Sequence, residues 1–453
     1  MLTRTGKRRP GSTAVRRLAL IPTLILLVGP GCSLQEDPSG TGVTLEVAVF
    51  EGGYGIEWHK SVARRYEAEH PGIRINLWGD PRVDEKLKPR ILRRRPPDLA
   101  SCNLPVWKLI VAGKLYPLDE TLDSPACGQN VTWRQSLEPG VLNDFVYNGK
   151  TYAVPTNLGA WVCWYDARQF REHGWKPPQT WSEFTALCDA IKAAGVAPLA
   201  FQGKYPTYAW STLLSLYQRL VPLERWYAMQ DLEPGAFTDP EFVHAARLLQ
   251  QMATRHFEAG ALAMTHTESQ MEWVNGRAAM VFCGLWLKNE MKMAIPPGFE
   301  MACFAVPMVE GGRGDPRAVY GGGFENFFVF ADARHPKEAA DFLKFMLSIE
   351  SARDYVERLD TLSPVKDCAK GVRISPGLQS AVDVLDRRSR IFADRLGDLY
   401  LEFNMTALQQ ALADLVSGKI APEEFGSRLE AAIDAVRRNP DIYKPPPRGV
   451  PKP

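Results

Sequence analysis

The sequence contains no C-x-x-C pair, no H-E-x-x-H, no G-x-S-x-G and no phosphate-cradling glycine loop. Those absences exclude a common zinc site, the metalloprotease helix, the nucleophile elbow and the P-loop. No metal and no cofactor is expected. A membrane-spanning segment is missing as well. The apolar run Leu18 to Val28 is too short for a hydrocarbon core of about 30 Å, and Pro22 breaks it. An excess of positive charge is confined to the N-terminus. Arg4, Lys7, Arg8, Arg9, Arg16 and Arg17 precede that run, and Gly29-Pro30-Gly31-Cys32 follows it, in the order of a secretory signal peptide. Removing residues 1–31 with their six basic side chains takes the formal charge from +2 to −4. Nothing basic is then left to hold nucleic acid.

Cys32 stands where a lipoprotein signal is cut and its cysteine acylated, although Gly29 and Pro30 replace the usual aliphatic and small residues. A signal peptide over 1–31 and a lipidated tether over 32–42 follow. The protein is then a lipid-anchored monomer outside the cytoplasm, in a periplasm or at a cell surface. Seven cysteines remain after Cys32. An oxidising compartment permits disulfides, and Cys102 and Cys127, close in sequence, are the expected pair. The odd count leaves at least one buried thiol.

From Val43 the chain alternates apolar and polar residues to Phe50, breaks at Glu51-Gly-Gly-Tyr-Gly55, and continues with a helical stretch carrying Trp58, Val62 and Tyr66. A second strand begins at Ile73. Strand, loop, helix and strand in this order predict an α/β lobe with a mostly parallel sheet flanked by helices. Asn148-Gly149 marks a turn, and the apolar stretch after it, to Tyr165, is a candidate crossover between lobes. Thr180-Trp-Ser-Glu183 is a capping box opening a helix. Tyr320-Gly-Gly-Gly323 is a second break, and residues 441–453 form a Pro-rich tail expected to fray.

Several segments, in order, resemble the family 1 extracellular solute-binding proteins of carbohydrate ABC importers. They include Gly113-Lys-Leu-Tyr-Pro-Leu-Asp-Glu120, Tyr147-Asn-Gly-Lys-Thr-Tyr-Ala-Val-Pro155, Pro178-Gln-Thr-Trp-Ser-Glu-Phe184, Asn275-Gly-Arg-Ala-Ala-Met280 and His335-Pro-Lys-Glu-Ala-Ala-Asp-Phe342. Val49-Phe-Glu-Gly-Gly-Tyr-Gly55 and Phe201-Gln-Gly-Lys-Tyr-Pro206 are similar to the N-acetylglucosamine and diacetylchitobiose-binding type, except that Glu51 replaces an expected amide. The resemblance implies a two-lobe periplasmic-binding-protein-like fold (class II) joined by hinge strands. Lobe 1 would take 43–155 and 322–362, lobe 2 the residues 156–321 and 363–440. It also implies a small carbohydrate ligand and a partner in the transmembrane subunits of a permease.

A sugar presents apolar C–H faces and polar edges, so its site needs flat aromatics with amides or carboxylates beside them. The loop after the first strand offers Glu51 and Tyr54, and the loop after the third offers Asn103. Asn157 and Trp161 follow the crossover. Gln202, Lys204, Tyr205, Tyr208 and Trp210 form a polar and aromatic stretch, with core packing as the blander reading of its rings. Trp286 after Gly284 is the candidate stacking platform. Gly323, Phe324 and Glu325 lie at the return hinge, where a plain hinge is the rival. Two other functions stay open: a secreted glycoside hydrolase, which needs two carboxylates about 5 to 10 Å apart, and a glycan receptor that works without a transporter.

Overall fold

A computed structural model describes residues 42–447. The leader, Cys32 and most of the tether lie outside the described residues. The first sheet contains β1 (Val43–Phe50), β2 (Ile73–Asp80), β3 (Leu99–Ser101), and three strands from later in the chain. β1 pairs in parallel with both β2 and β3. Alternate residues of β1 serve opposite layers, as a pleat requires. Leu45, Val47 and Val49 pack with Trp58 and Val62 of helix α1 (Glu57–Glu69). Ala48 faces Val83 and Leu87 of α2 (Val83–Leu92). β3 leads into the short helix α3 (Val106–Val111).

A small hairpin, β4 (Val146–Tyr147) and β5 (Lys150–Thr151), turns at Asn148-Gly149. It precedes β6 (Val154–Ala160), and only Trp161 separates β6 from β7 (Val162–Asp166). β7 belongs to a second sheet with β8 (Ala197–Ala200), β9 (Ala278–Cys283) and β10 (Met301–Ala305), in the order β10-β7-β9-β8. The last strands are β11 (Val319–Val329) and β12 (Ile391–Phe392), back in the first sheet. The α/β fold of two sheets joined by strands is thus present. One detail departs from a mostly parallel second sheet. β7 runs antiparallel to both its neighbours, because it enters straight from β6 with no crossover helix to reverse it.

Helices surround the second sheet. α4 (Trp181–Ala193) opens with the expected capping box, Thr180 with Glu183. α5 (Thr207–Leu220) and α6 (Pro240–His256) follow, then α7 (His266–Val274) and α8 (Leu287–Met291). α9 (Pro336–Met346) and α10 (Ile349–Leu359) cover the first sheet and α1. α11 (Pro376–Asp386) returns to β10, where Ser380 Oγ accepts from Cys303 N at 3.0 Å. The chain ends in α12 (Leu396–Leu399), α13 (Gln409–Val416) and α14 (Pro422–Arg438). α14 is laid against α6 with Phe425 stacked on Phe242.

Two expectations are corrected. Cys102 and Cys127 are both free thiols, like the other five described cysteines. Cys102 follows β3, near Asp84, whereas Cys127 lies near Glu69 at the far end of α1 and Lys344 of α9. Nearness in sequence did not bring them to one edge of the sheet. The described part of the tail is docked, with Tyr443 stacked on Trp107 at 5.7 Å and edge-on to Tyr147 at 5.0 Å. Its aromatic ring has apolar surface to bury, which outweighs the proline content around it.

Three connections pass between the sheets: β6 to β7, β10 to β11, and α10 to α11. The second is clasped by Arg219, a buried side chain of α5. Its guanidinium donates to Val306 O at 3.0 and 3.2 Å, Asp315 O at 2.8 Å and Ala318 O at 2.6 Å. All three acceptors are neutral, and burial pulls the guanidinium down to about 10. The clasp therefore works by satisfying carbonyls and not by ion pairing. Arg219→Met removes those donors and leaves buried carbonyls unpaired, at a cost of about 3 kcal/mol. Urea unfolding is expected to show that loss; a change near zero would contradict the clasp.

Candidate functional site

Strand registers decide where the loops open. Phe327 of β11 pairs with Ser101, the last residue of β3, so β11 before that point, together with its partner β6, overhangs the edge where β1 and β3 end. In the second sheet β8 and β9 end beside Val162, the first residue of β7. The loops after β1, β3, β8 and β9 therefore face the hinge strands from both sides. This is the carboxyl-end position at which open α/β sheets bind ligands.

A row of rings crosses this place. Tyr205 lies 6.5 Å from Tyr208, Tyr208 5.7 Å from Trp161, Trp161 6.5 Å from Trp286, and Trp286 5.7 Å from Phe324. Tyr205 is 43% exposed and Phe324 36%, so both ends of the row are open to solvent. Trp161 is buried and anchors the centre, its indole N–H donating to Thr212 Oγ1 at 2.9 Å. Neighbouring rings are inclined by 50–71° to one another, and two glycines let two of the rings approach the backbone. A Cβ at Gly284 would lie 2.0 Å from the Trp286 indole, and one at Gly159 would lie 2.4 Å from the Phe324 ring. Each ring is thereby folded down onto bare backbone.

Polar groups border the row. The Tyr54 hydroxyl meets Thr361 Oγ1 at 3.1 Å, and Asn157 Nδ2 donates to the same oxygen at 3.2 Å and to the Tyr355 hydroxyl at 3.4 Å. Glu325 has a left-handed backbone, φ 53, which costs a non-glycine residue about 1–3 kcal/mol and concentrates at functional sites. Its Oε2 is buried without a hydrogen-bond partner among the described residues, and burial pushes its carboxyl up to about 7. From the second lobe comes Glu290 on α8. It accepts from Gln270 Nε2 at 2.6 Å, and His266 Nε2 stands 4.0 Å away. Burial raises the Glu290 carboxyl too. Burial and both carboxylates, Glu325 before Glu290, raise the Tyr54 phenol. The lobes touch here, since a Cβ at Gly53 would lie 2.9 Å from Glu290 Cγ.

Some candidates lie elsewhere. Gln202 is buried and donates to Phe282 O at 3.2 Å. Trp210 is buried, with its N–H on Asp394 Oδ2 at 2.8 Å. Gly323 packs toward Pro155 and Val141. Glu51 is exposed at the cleft-side loop, Asn103 is exposed with its backbone N–H on Asp84, and Lys204 is exposed 3.9 Å from Glu268. Tyr355, Thr361, Glu290, Gln270 and His266 were not anticipated. All five sit in helices or at a helix end, where sequence pattern reads only as a helical face.

One helical turn along α5 from Tyr208, Ser211 bonds the Tyr320 hydroxyl. Burial and then Asp394, Asp398 and Asp144 raise that phenol. Asp398 is exposed at its surface, yet burial of its surroundings and the neighbouring aspartates lift its carboxyl to about 7. A separate, mostly apolar cavity of about 660 Å³ lies between α3 and the C-terminal helices, walled by Trp107, Tyr400, Phe403 and Tyr443. Another of about 450 Å³ lies behind Gly321–Gly323. Neither includes the ring row.

The Glu325 carboxyl supplies a pH test. Its folded value of about 7 exceeds the 4.5 of an ordinary glutamate, so the folded state holds the extra proton between those values. Stability from this group is full below pH ~4.5 and falls as pH rises toward 7. Glu325→Gln removes that dependence. Its melting temperature relative to the parent is expected to rise from pH 5 to pH 7.5, and an unchanged difference would contradict the buried, uncompensated carboxylate.

The family model of the bacterial extracellular solute-binding proteins matches residues 52–353. A diacetylchitobiose-binding protein of Streptomyces coelicolor is 24% identical over 336 residues, covering 72% of this chain and 71% of its own. A multiple sugar-binding protein of Streptococcus mutans is 26% identical over 326 residues, covering 69% and 72%. Among solved structures, a chitin oligosaccharide binding protein superposes with a TM-score of 0.73 at 20% identity, over 88% of this chain and all of that one, and supports the fold. With two sheets, three connections and a cleft at the strand ends, this chain belongs to the bacterial extracellular solute-binding protein family.

Proposed function

We propose that the protein captures a sugar between its lobes and delivers it to an ABC permease, without chemistry of its own. N-acetylglucosamine, chitobiose or a related mono- or oligosaccharide is the ligand class. The ring row from Tyr205 to Phe324 carries this reading, because a run of adjacent aromatic rings next to Asn157, Tyr54 and Glu325 matches the apolar faces and the hydroxyl edges of a pyranose. Tyr54, Asn157 and Glu325 come from one lobe and the hinge, and Tyr205, Tyr208 and Trp286 from the other. A ligand touching both sets binds the closed arrangement better than the open one and shifts the population toward it. A permease then reads the closed form. Lipidation at Cys32 would keep the protein beside that permease as a monomer on the outer face of the membrane. The relatives that bind sugars support the same reading.

Glu325 and Glu290 in one cleft are what a glycoside hydrolase would also need. Chitobiose incubated with the protein separates the two readings, and it is expected to remain intact. Calorimetry with N-acetylglucosamine, chitobiose, glucose and maltose is expected to find at least one ligand at micromolar affinity, about −8 kcal/mol. Trp286→Ala should weaken that binding by about 2 kcal/mol, roughly thirtyfold. Silence toward every sugar, or an unchanged affinity in the variant, would remove the proposal.

A further inference from the structure

The cleft has an electrostatic character that a neutral sugar does not use. Glu325 reaches it from β11 and Glu290 from α8, and both bear on the Tyr54 hydroxyl. Among the described residues, no Lys or Arg forms an ion pair with Glu325, Glu290, Asp394 or Asp398. The nearest cation to either glutamate is the ionisable His266, 4.0 Å from Glu290. Lys288, two residues after Trp286, is already engaged by Asp360. Asp394 takes only neutral donors, the Trp210 indole, the Gln230 amide and the Leu396 N–H.

Two buried acceptors among the residues of this cleft and its wall have no partner among the described residues. One is Glu325 Oε2. The other is Oε1 of Gln270, a side chain with no solvent exposure whose amide nitrogen is held by Glu290. Buried acceptors without donors are costly, and a carboxylate more so than an amide. Ligand donors are the remaining way to satisfy them. Sugar hydroxyls can serve, but they leave the negative charge uncompensated in a place where water is scarce.

We propose that the preferred ligand is an amino sugar with a free, protonated amine, a glucosamine-type saccharide, whose ammonium group is held by Glu325 and Glu290 at the Tyr54 end of the ring row. This rests on the sugar-capture reading and narrows it. An ammonium offers three donors and one charge. It offers donors to the unpartnered oxygens and a charge to the carboxylates around Tyr54, and charge-assisted bonds are about twice as strong as neutral ones. The burial that raises both carboxyls is the cost that such a cation offsets.

Calorimetry on the full chain tests this with three disaccharides of one linkage: cellobiose, diacetylchitobiose and fully deacetylated chitobiose. Each is measured at 50 and 200 mM salt. The deacetylated sugar is expected to bind about tenfold or more tighter than cellobiose, with the gap narrowing at the higher salt. Glu325→Gln, and separately Glu290→Gln, should each bring the ratio of deacetylated-sugar to cellobiose affinity close to one, even though Glu325→Gln also weakens cellobiose binding itself. If one variant fails to fold, the other carries the comparison. Equal or weaker binding of the deacetylated sugar overturns the inference and leaves sugar capture standing. Binding of none of the three, nor of any sugar in the wider panel, overturns both.

Discussion

The antiparallel ladder between β6 and β11 positions nearly everything else in the cleft. Its register, Gly321 on Ala160 through Phe327 on Val154, runs past the end of β3 and out to the first residues of the second sheet. A one-residue slip would turn each side chain of either strand to the other face. Asn157 would leave Thr361, Phe324 would leave Trp286, and Glu325 would leave the cleft. The ladder is rich in glycine, which weakens a strand, and its register is secured from outside by the Trp161 N–H on Tyr320 O and by the Arg219 clasp one connection away. Rigid lobes on a ladder held this way allow hinge bending without loss of alignment.

Rings and carboxylates have different jobs on that frame. The row from Tyr205 to Phe324 supplies aromatic surface, two of whose rings lie over glycines. In the proposed reading the acids supply direction and selectivity. Folding left Glu325 strained, buried and unpartnered, which is unfavourable for stability and favourable for recognition. In the proposed reading a ligand donor satisfies this group, so binding and closure would draw on the same free energy.

The fold was legible because its signals are local. Alternation marked β1, Asn148-Gly149 marked the hairpin turn and Thr180 with Glu183 marked a helix start, whereas the glycine run at 321–323, read as a break, lies inside the continuous strand β11. The site was legible where a residue follows a strand end, as Tyr54, Trp161 and Trp286 do. It was not legible where partners meet only in three dimensions. Thr361 lies at the end of α10, and Glu290 and Gln270 lie on helices whose patterns show an apolar face and nothing more. Trp210 illustrates the reverse: an aromatic beside the site in sequence, turned inward by helix geometry to meet Asp394. The cysteines show that sequence nearness cannot stand for spatial nearness when a helix carries one partner to the opposite edge.

The central claim is that a saccharide lies between the lobes on the indole of Trp286 with its polar edge toward Glu325. A crystal structure of the complex with chitobiose or its deacetylated form tests it most directly. The account predicts a pyranose ring face against Trp286 and a ligand donor within hydrogen-bond reach of Glu325. Sugar density confined to the cavity walled by Trp107 and Tyr443, with the ring row bare, would contradict it.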